Sequence, residues 1–413
     1  MKPSNAKNHL IRPFAALRPA PKFAAEVAAP PYDVLSTEEA RERASGKPWS
    51  FLHISKPEID LAPGTDPYSP AVYDKAAANL ARMVKDGVLV RDARPCFYVW
   101  RMIMEDLTQT GLALTASVRD YDSNRIRKHE FTRPDKEDDR VRQIEALNAQ
   151  TGPVLLAYPD APDVDAILAQ MSARDPDSDI VADTGVRHSI WRITDEATQS
   201  RLIAAFDAMP ALYIADGHHR SAAASRVAAK RAGDKGSDYF LAVAIPHHEM
   251  HILPYNRVVK DLNGLDRAQF LAKVGERFWV EESVAPIAPW QAGSFGLYLP
   301  GEWYKLSIRE EFVPASDPVR SLDVSLLADN LLAPVLGISD PRRDKRIDFI
   351  GGIRGLGELE RRVDNGEMAC AFSLFSTSME NLMAVADANQ VMPPKSTWFE
   401  PKLADGLVSH VLD

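Results

Sequence analysis

Five consecutive residues combine the side chains and backbone that bind phosphate groups in proteins: Asp216, Gly217, His218, His219 and Arg220. They follow the apolar run 211–215 (ALYIA), whose length suits a buried strand, and precede an Ala-rich segment that is typical of a helix. Backbone N–H groups at the start of a helix bind anions, and Gly217 lets a ligand approach the backbone closely. Arg220 can donate two hydrogen bonds to phosphate oxygens. The segment, here called the DGHHR turn, therefore predicts a phosphate site.

A second interpretation of the DGHHR turn is that Asp216 only caps the helix while the basic side chains are solvated. Positive charge in the first turn opposes the helix macrodipole, so that arrangement is unfavourable unless an anion compensates it. We therefore favour the anion site. Because His218 and His219 are adjacent, they point about 100° apart on a helix and cannot both face one ion. We expect no metal ion bound by this pair.

His129 and Glu130 lie between a strand-like segment that ends near 128 and a charged helix that begins near Pro134. A carboxylate at such a loop, if it lies close to a phosphate site, is suited to take the proton from an attacking hydroxyl. The alternative is that Glu130 is an ordinary surface residue. We take His129 and Glu130 as the catalytic candidates and predict that Glu130 and the DGHHR turn converge in space.

A second group of residues that could do chemistry consists of His247, Glu249 and His251, which alternate along the chain. Alternate residues of a strand point to one face, and two histidines with one glutamate form a known zinc-binding set. The segment lacks the HExxH spacing of zinc peptidases. A metal-dependent hydrolase built on these three residues is therefore the weaker alternative function.

Composition limits the classes of protein that the chain can belong to. It has 413 residues, of which 45% are hydrophobic and 26% charged, and its net charge is −9. Such an acidic chain is a poor candidate for binding nucleic acid, which needs a basic surface. Cys96 and Cys370 lie in apolar stretches, so we expect buried thiols and neither a disulfide nor a zinc site. No apolar run reaches the roughly 18 residues of a membrane helix, and the start lacks a secretion signal, so a cytoplasmic location without membrane contact is expected.

The elements that must position these residues alternate between strand-like and helical patterns. Apolar runs at 96–102, 112–121, 154–158, 189–193 and 211–215 predict strands. Helical patterns run over 73–87, from Pro134 onward and from 194 to about 209, and the apolar segment 50–54 between two prolines predicts a further strand. The fold class is α/β or α+β. We predict three domains, over residues 1–120, 121–260 and 261–413.

Two segments together carry a resemblance to a known superfamily. YIADGHHRSAAA resembles the second signature of the ParB/sulfiredoxin superfamily, and IRKHEFTRPDKEDDRVRQIEALNAQTGPVLL resembles the stretch that precedes it. With VAAPPYDV, SFLHISKPE, PYNRVV and MPPKSTWFEPKL, the whole chain resembles domain-of-unknown-function family 1015, which is associated with the free serine kinases. The resemblance implies a ParB/sulfiredoxin-like nucleotide-binding core over 121–260, with N- and C-terminal α/β segments around it.

The resemblance also implies a function and roles for the site residues. The DGHHR turn would hold nucleotide phosphates, and Glu130 would be the catalytic base for the serine hydroxyl. The predicted activity is transfer of phosphate from ADP or ATP to the hydroxyl of a small molecule, with free serine as the leading candidate and Mg²⁺ as a compatible ion. The alternative is a nucleotide or phosphometabolite sensor without turnover. The long insertion at 160–187 is predicted to remodel the substrate pocket, and self-association is left open.

Overall fold

A computed structural model of the chain describes residues 8–232, 236–314 and 316–413. The described chain divides into two compact units. The first unit contains the residues up to Met250 together with Pro401–Asp413, and the second contains His251–Glu400. The sequence-based division into three domains with boundaries at 120 and 260 stays a prediction.

The strands and helices of the first unit alternate along the chain. Its strands are β1 (Ile11–Arg12), β2 (Leu17–Pro19), β3 (Leu89–Arg91), β4 (Phe97–Met104), β5 (Leu107–Ser117), β6 (Ile126–Arg127), β7 (Ala149–Gln150), β8 (Val154–Tyr158), β9 (Ser178–Val181), β10 (Arg187–Ile193), β11 (Leu212–Asp216) and β12 (Tyr239–Pro246). Its helices are α1 (Ala24–Val27), α2 (Thr37–Ala44), α3 (Leu52–Ser55), α4 (Pro70–Lys85), α5 (Val118–Asp122), α6 (Pro134–Leu147), α7 (Pro162–Ser172), α8 (Glu196–Ala208) and α9 (His218–Lys230).

A nine-stranded sheet forms the centre of the first unit, in the order β6-β11-β8-β12-β5-β4-β10-β9, with β1 paired to β5. Within this sheet the pairs β6/β11 and β8/β12 are parallel, and the other pairings are antiparallel. Because β11 runs antiparallel to β8, the two parallel pairs point in opposite directions. Their carboxyl ends therefore lie at opposite ends of the sheet.

The central strands are buried because their sequences are almost continuously apolar, a pattern typical of strands covered on both faces. Every residue of β8 and β12 is buried. Tyr158 and Trp100 are fully enclosed in this core. The strands predicted near 96–102, 154–158, 189–193 and 211–215 are confirmed, with shifts of a few residues at their ends. The strand predicted at 112–121 is confirmed up to 117, but its last four residues belong to helix α5. The predicted α/β class is confirmed.

The strand predicted for the apolar segment 50–54 is wrong. The segment enters the short helix α3, in which Leu52 and Ile54 are fully buried, as is Phe51 before it. A short apolar run is compatible with either a buried strand or a buried helix turn. Packing in the cluster formed by the N-terminal helices decides between them here.

The second unit is built around an antiparallel sheet with the order β15-β17-β16-β19-β14-β18. Its strands are β13 (His251–Leu253), β14 (Tyr255–Val259), β15 (Phe278–Ser283), β16 (Ser294–Leu299), β17 (Glu302–Ile308), β18 (Ile347–Gly351), β19 (Cys370–Leu374) and β20 (Trp398–Glu400). Its helices are α10 (Arg267–Val274), α11 (Asp323–Leu327), α12 (Gly357–Asp364) and α13 (Met379–Asp387), and the chain then returns to the first unit in β21 (His410–Val411).

Two further expectations concern thiols and membranes. Cys96 and Cys370 are free and buried, as their apolar surroundings predicted. Among the described residues, no helix combines the length and apolar character needed to span a bilayer.

Candidate functional site

The parallel pairing of β6 with β11 brings the two predicted catalytic segments together. Leu212 pairs with Ile126 and Tyr213 with Arg127, so both strands end at the same end of the sheet. His129 and Glu130 follow β6, and the DGHHR turn begins at the last residue of β11. The Glu130 Oε2 atom lies 3.8 Å from Nδ1 of His218. The predicted convergence of Glu130 and the DGHHR turn is confirmed.

Gly217 has a conformation that a residue with a side chain rarely adopts. Its φ is 95°, in the left-handed region, and it is the N-cap of α9. A Cβ atom at this position would lie 2.9 Å from Nε of Arg220. The Gly217 N–H donates to Oδ1 of Asp216 at 2.9 Å. The Arg220 N–H donates to the Gly217 carbonyl oxygen at 2.9 Å. The N–H groups of His218 and His219 are therefore the ones that this helix start offers to an anion.

His129 and His218 form a buried pair of imidazoles. They are 2% and 4% exposed, and their ring centroids are 4.4 Å apart in an edge-to-face arrangement. Burial lowers the pKa of His129 to about 4 and holds that of His218 well below its ordinary value. The backbone N–H of His129 donates to Nε2 of His218 at 3.4 Å. The neutral His218 ring therefore carries its proton on Nδ1, the nitrogen that faces Glu130.

Asp216 is kept ionised by two cations. Its Oδ2 atom lies 3.5 Å from Nη2 of Arg220 and 3.6 Å from Nζ of Lys402. Burial by itself would raise the pKa of Asp216, but Lys402 and Arg220 outweigh it, and the pKa lies below its ordinary value. The negative charge of Asp216 in turn holds these two cations at the start of α9.

Arg220 is more enclosed than a solvated phosphate-binding arginine. Its side chain is 9% exposed, and Nη1 donates to the carbonyl oxygen of Pro153 at 2.6 Å. The guanidinium thus links the carboxyl end of β11 to the start of β8. Its predicted contact with phosphate stays a prediction.

His219 contacts the loop that precedes α6. Its Nε2 atom accepts a hydrogen bond from the backbone N–H of Arg133 at 3.1 Å. Burial and the charge of Arg133 lower its pKa. The imidazole therefore stabilises the loop that precedes α6. Its predicted contact with nucleotide stays a prediction.

Sequence reasoning missed a second group of polar residues beside Arg220. Asp405 is 2% exposed, and burial raises its pKa to about 7. The Arg140 guanidinium lies over the Tyr32 ring, 3.8 Å from its centroid. Asp405, Arg140, Tyr32 and Arg220 are among the residues that line a cavity of about 30 Å³, which is room for at least one water molecule.

Part of this group had a signal in the sequence. Tyr32 lies in VAAPPYDV and Lys402 in MPPKSTWFEPKL, two of the segments that carry the family resemblance. Both are polar residues next to prolines, which fix the backbone of a loop. Nothing in their local sequence says that they meet the DGHHR turn. Arg140 lies in the resembling segment 126–156 but next to no proline, and Asp405 has no such signal.

The described carboxylates at this end of the sheet lie next to nitrogen-bearing side chains. Asp216 faces Arg220 and Lys402, and Glu130 is flanked by histidine nitrogens. Mg²⁺ prefers oxygen ligands in octahedral geometry. The predicted use of Mg²⁺ stays a prediction.

The metal site predicted from His247, Glu249 and His251 is wrong. Residues His247–Glu249 form a 3₁₀ helix after Pro246, and strand β13 begins only at His251, so the three do not alternate along one strand. Oε2 of Glu249 accepts a hydrogen bond from the backbone N–H of Thr110 at 2.6 Å. The Glu249 carboxylate therefore binds the backbone of β5. A hydrolase built on this set is not proposed again.

The structure places most of the insertion at 160–187 away from the DGHHR turn, and its predicted effect on the substrate pocket stays a prediction. The insertion supplies α7 and β9, and β9 is the edge strand at the opposite side of the sheet from β6 and β11. Helix α7 packs on β4, β5 and β10. The added residues therefore extend the sheet and do not line the DGHHR turn.

Acidification is expected to destabilise the fold between about pH 6.5 and pH 4. Burial lowers the pKa of His129, His188 and His410 to about 4. The unfolded chain therefore binds more protons than the folded chain in this interval, so stability is complete above it and is lost as the pH falls. Burial raises the pKa of Asp405 and of Asp323 to about 7, so these two groups act in the opposite direction. They stand against the three histidines above, to which the lowered pKa values of His218 and His219 add.

Urea unfolding followed by far-UV circular dichroism across this pH range measures the effect. His188, whose Nδ1 accepts from Trp100 Nε1, lies away from the catalytic candidates. The variant His188→Gln removes one of the titrating groups and should reduce the slope of unfolding free energy against pH. A wild-type midpoint that does not fall with pH would contradict this.

Comparisons with known proteins give one family and several distant structures. The family model described as "Protein of unknown function (DUF1015)" matches residues 11–325. A free serine kinase in complex with AMP is 14% identical, with 71% of this chain and 92% of that chain covered and a TM-score of 0.35. A conserved hypothetical protein from Pyrococcus furiosus is also 14% identical, with 72% and 94% covered and a TM-score of 0.35. SbnI with a C-terminal truncation, from Staphylococcus aureus, is 11% identical, with 71% and 85% covered and a TM-score of 0.37. No curated protein matches the chain.

Proposed function

The chain belongs to the DUF1015 family of proteins of unknown function, and on that premise we propose that its first unit is a small-molecule phosphotransferase. The proposed reaction moves a phosphoryl group from ADP or ATP to a hydroxyl group, with free serine as the first acceptor to test. The observation that carries the proposal is the position of Glu130 beside the first residue of α9, 3.8 Å from His218. It puts a carboxylate next to a helix start that suits phosphate.

The roles of the residues follow from their charges and positions. The N–H groups at the start of α9 would face the phosphate oxygens, and the Lys402 ammonium would add positive charge beside them. Glu130 is about half exposed, so its carboxylate can reach a substrate hydroxyl and accept its proton during transfer. His218, neutral and with its proton on Nδ1, would lie beside the Glu130 carboxylate, 3.8 Å from it.

Buried charged residues hold the cations of this site in place. Asp216 is fixed by the Gly217 N–H and fixes Arg220 and Lys402 in turn. The positive charge at the start of α9 is thereby held in place before a nucleotide arrives, which favours stabilisation of phosphoryl-transfer charge. Arg220 contributes to this framework and, in our proposal, to the electrostatic attraction of the phosphates.

The direct test incubates the full chain with serine and with either ADP or ATP plus Mg²⁺. Phosphoserine is detected by mass spectrometry, and nucleotide affinity is measured in parallel by calorimetry. The proposal expects phosphoserine with one of the two nucleotides. Nucleotide binding without any phosphorylated product, for serine and for a panel of small hydroxyl compounds, would favour a sensor. Failure to bind either nucleotide would contradict both functions.

A further inference from the structure

The second parallel pair of the sheet, β8 and β12, also ends in a group of polar residues. Tyr158 and Pro246 are paired at the ends of these strands. Asp160 lies two residues beyond the end of β8, and His247 and His248 follow β12 directly. Parallel strands place their carboxyl ends together, and in α/β sheets ligands bind outside those ends. This group lies at the end of the sheet opposite to the DGHHR turn.

The three side chains have the spacing of metal ligands. Nδ1 of His247 lies 3.6 Å from Oδ1 of Asp160, and Nδ1 of His248 lies 3.4 Å from the same oxygen. The ligand atoms all lie within 4.8 Å of one another. Zinc bonds of about 2.0–2.2 Å in a tetrahedral site place neighbouring ligand atoms about 3.3–3.5 Å apart. His247 and His248 are adjacent on a 3₁₀ turn, but both Nδ1 atoms lie within 3.6 Å of the same Asp160 oxygen. Small side-chain rotations would therefore bring the three atoms around one ion.

His247 supplies an independent indication. Its Nδ1 atom is buried, and it has no hydrogen-bond partner among the residues that the structure describes. A buried polar atom without a hydrogen bond is uncommon, and an ion is one of the partners that explain it. The separation of 3.6 Å from Asp160 is too long for a hydrogen bond but suits two ligands of one metal.

The backbone that carries the histidines is fixed. Glu249 accepts a hydrogen bond from the Thr110 N–H at 2.6 Å, and the Met250 N–H donates to the His247 carbonyl at 3.2 Å. Both contacts close the 3₁₀ turn next to the sheet. The two histidines therefore lie on a rigid backbone. A rigid backbone holds metal ligands in place better than a mobile loop does.

We propose that Asp160, His247 and His248 form a binding site for a divalent transition metal of the Zn²⁺ type. Two imidazole nitrogens select such an ion over Mg²⁺ or Ca²⁺, which prefer oxygen ligands. Asp160 is 78% exposed and His248 49%, so a fourth position faces solvent and would take water. The site is separate from the proposed phosphotransferase site and does not depend on it.

The test uses the full chain after removal of metal by a chelator and dialysis. Co²⁺ is titrated as a spectroscopic probe through its visible absorption, and Zn²⁺ is then added in competition. The wild type should bind one equivalent at this site. His247→Ala and Asp160→Asn should each weaken Co²⁺ and Zn²⁺ binding by at least about 100-fold, more than the loss of an outer-shell partner. His251→Ala, a histidine of the same sequence segment outside the group, should leave affinity unchanged.

Several results would overturn the metal site. One is absence of Co²⁺ and Zn²⁺ binding by the wild type; another is an unchanged affinity in both His247→Ala and Asp160→Asn. A loss of binding in Glu130→Gln alone would place the ion at the other candidate group, His129, Glu130 and His218. Asp160→Asn changes an exposed side chain, so it tests the site even if His247→Ala folds poorly. Phosphoserine formation is measured separately, so failure of the phosphotransferase proposal leaves this result interpretable.

Discussion

Replacing Glu130 with Gln is expected to lower phosphoserine formation by about 10²–10⁴-fold while nucleotide affinity changes little. The amide keeps the size of the side chain beside His218, but it cannot take up the hydroxyl proton. The loss should therefore fall on kcat and equally on kcat/KM. Steady-state kinetics with serine and the active nucleotide, together with calorimetric titration of the nucleotide, measure both quantities.

A matched substitution separates the loss of a base from the loss of a surface charge. Glu145 lies in α6 and forms an exposed ion pair with Lys230 of α9 at 2.9 Å. Glu145→Gln removes the same charge from the neighbouring helix α6 and should leave turnover within about twofold of wild type, because exposed ion pairs contribute little. If Glu130→Gln retained most of its turnover, or raised only KM, the assignment of Glu130 as base would be wrong.

Removing the Arg220 guanidinium is expected to destabilise the first unit by about 3–5 kcal/mol, the usual cost of breaking a buried ion pair by deleting one partner. In Arg220→Ala, Asp216 would lose one of its two cations and the Pro153 carbonyl would lose its donor. Asp405 would also lose a neighbouring positive charge. Urea unfolding followed by circular dichroism measures the loss of stability, and calorimetry measures the accompanying loss of nucleotide affinity.

Arg226 offers the control in the same helix. Its guanidinium is 41% exposed and pairs with Glu137 and Asp138 on the surface, so Arg226→Ala should cost no more than about 1 kcal/mol. Arg220→Lys keeps a charge but loses the planar donor geometry, so its stability should lie between wild type and Arg220→Ala. Equal stability losses in Arg220→Ala and Arg226→Ala would contradict the framework role of Arg220.

The secondary structure around the site follows from local sequence. The strand before the DGHHR turn, the helix after it and the helix that begins at Pro134 are all encoded by short apolar patterns, by a turn glycine and by a proline at a helix start. Such signals depend on neighbouring residues only, because backbone preferences and hydrogen bonds within a turn are local. The apolar segment 50–54 shows the limit, since a run of five residues suits a strand or a helix turn equally.

Local sequence patterns therefore specify the α/β class and the strand–turn–helix unit at Asp216, and they identify Glu130 as a carboxylate suited to act as a base. The tertiary structure decided which of these residues meet. Glu130 reaches His218 because β6 pairs parallel to β11, and Lys402 reaches Asp216 from a segment nearly two hundred positions further along the chain. In the same way, the parallel pairing of β12 with β8 places His247 and His248 next to Asp160. They do not form the alternating strand pattern that was expected for this segment. Strand order and long-range ion pairs depend on how the whole chain buries its apolar surface, and no local pattern of residues specifies that.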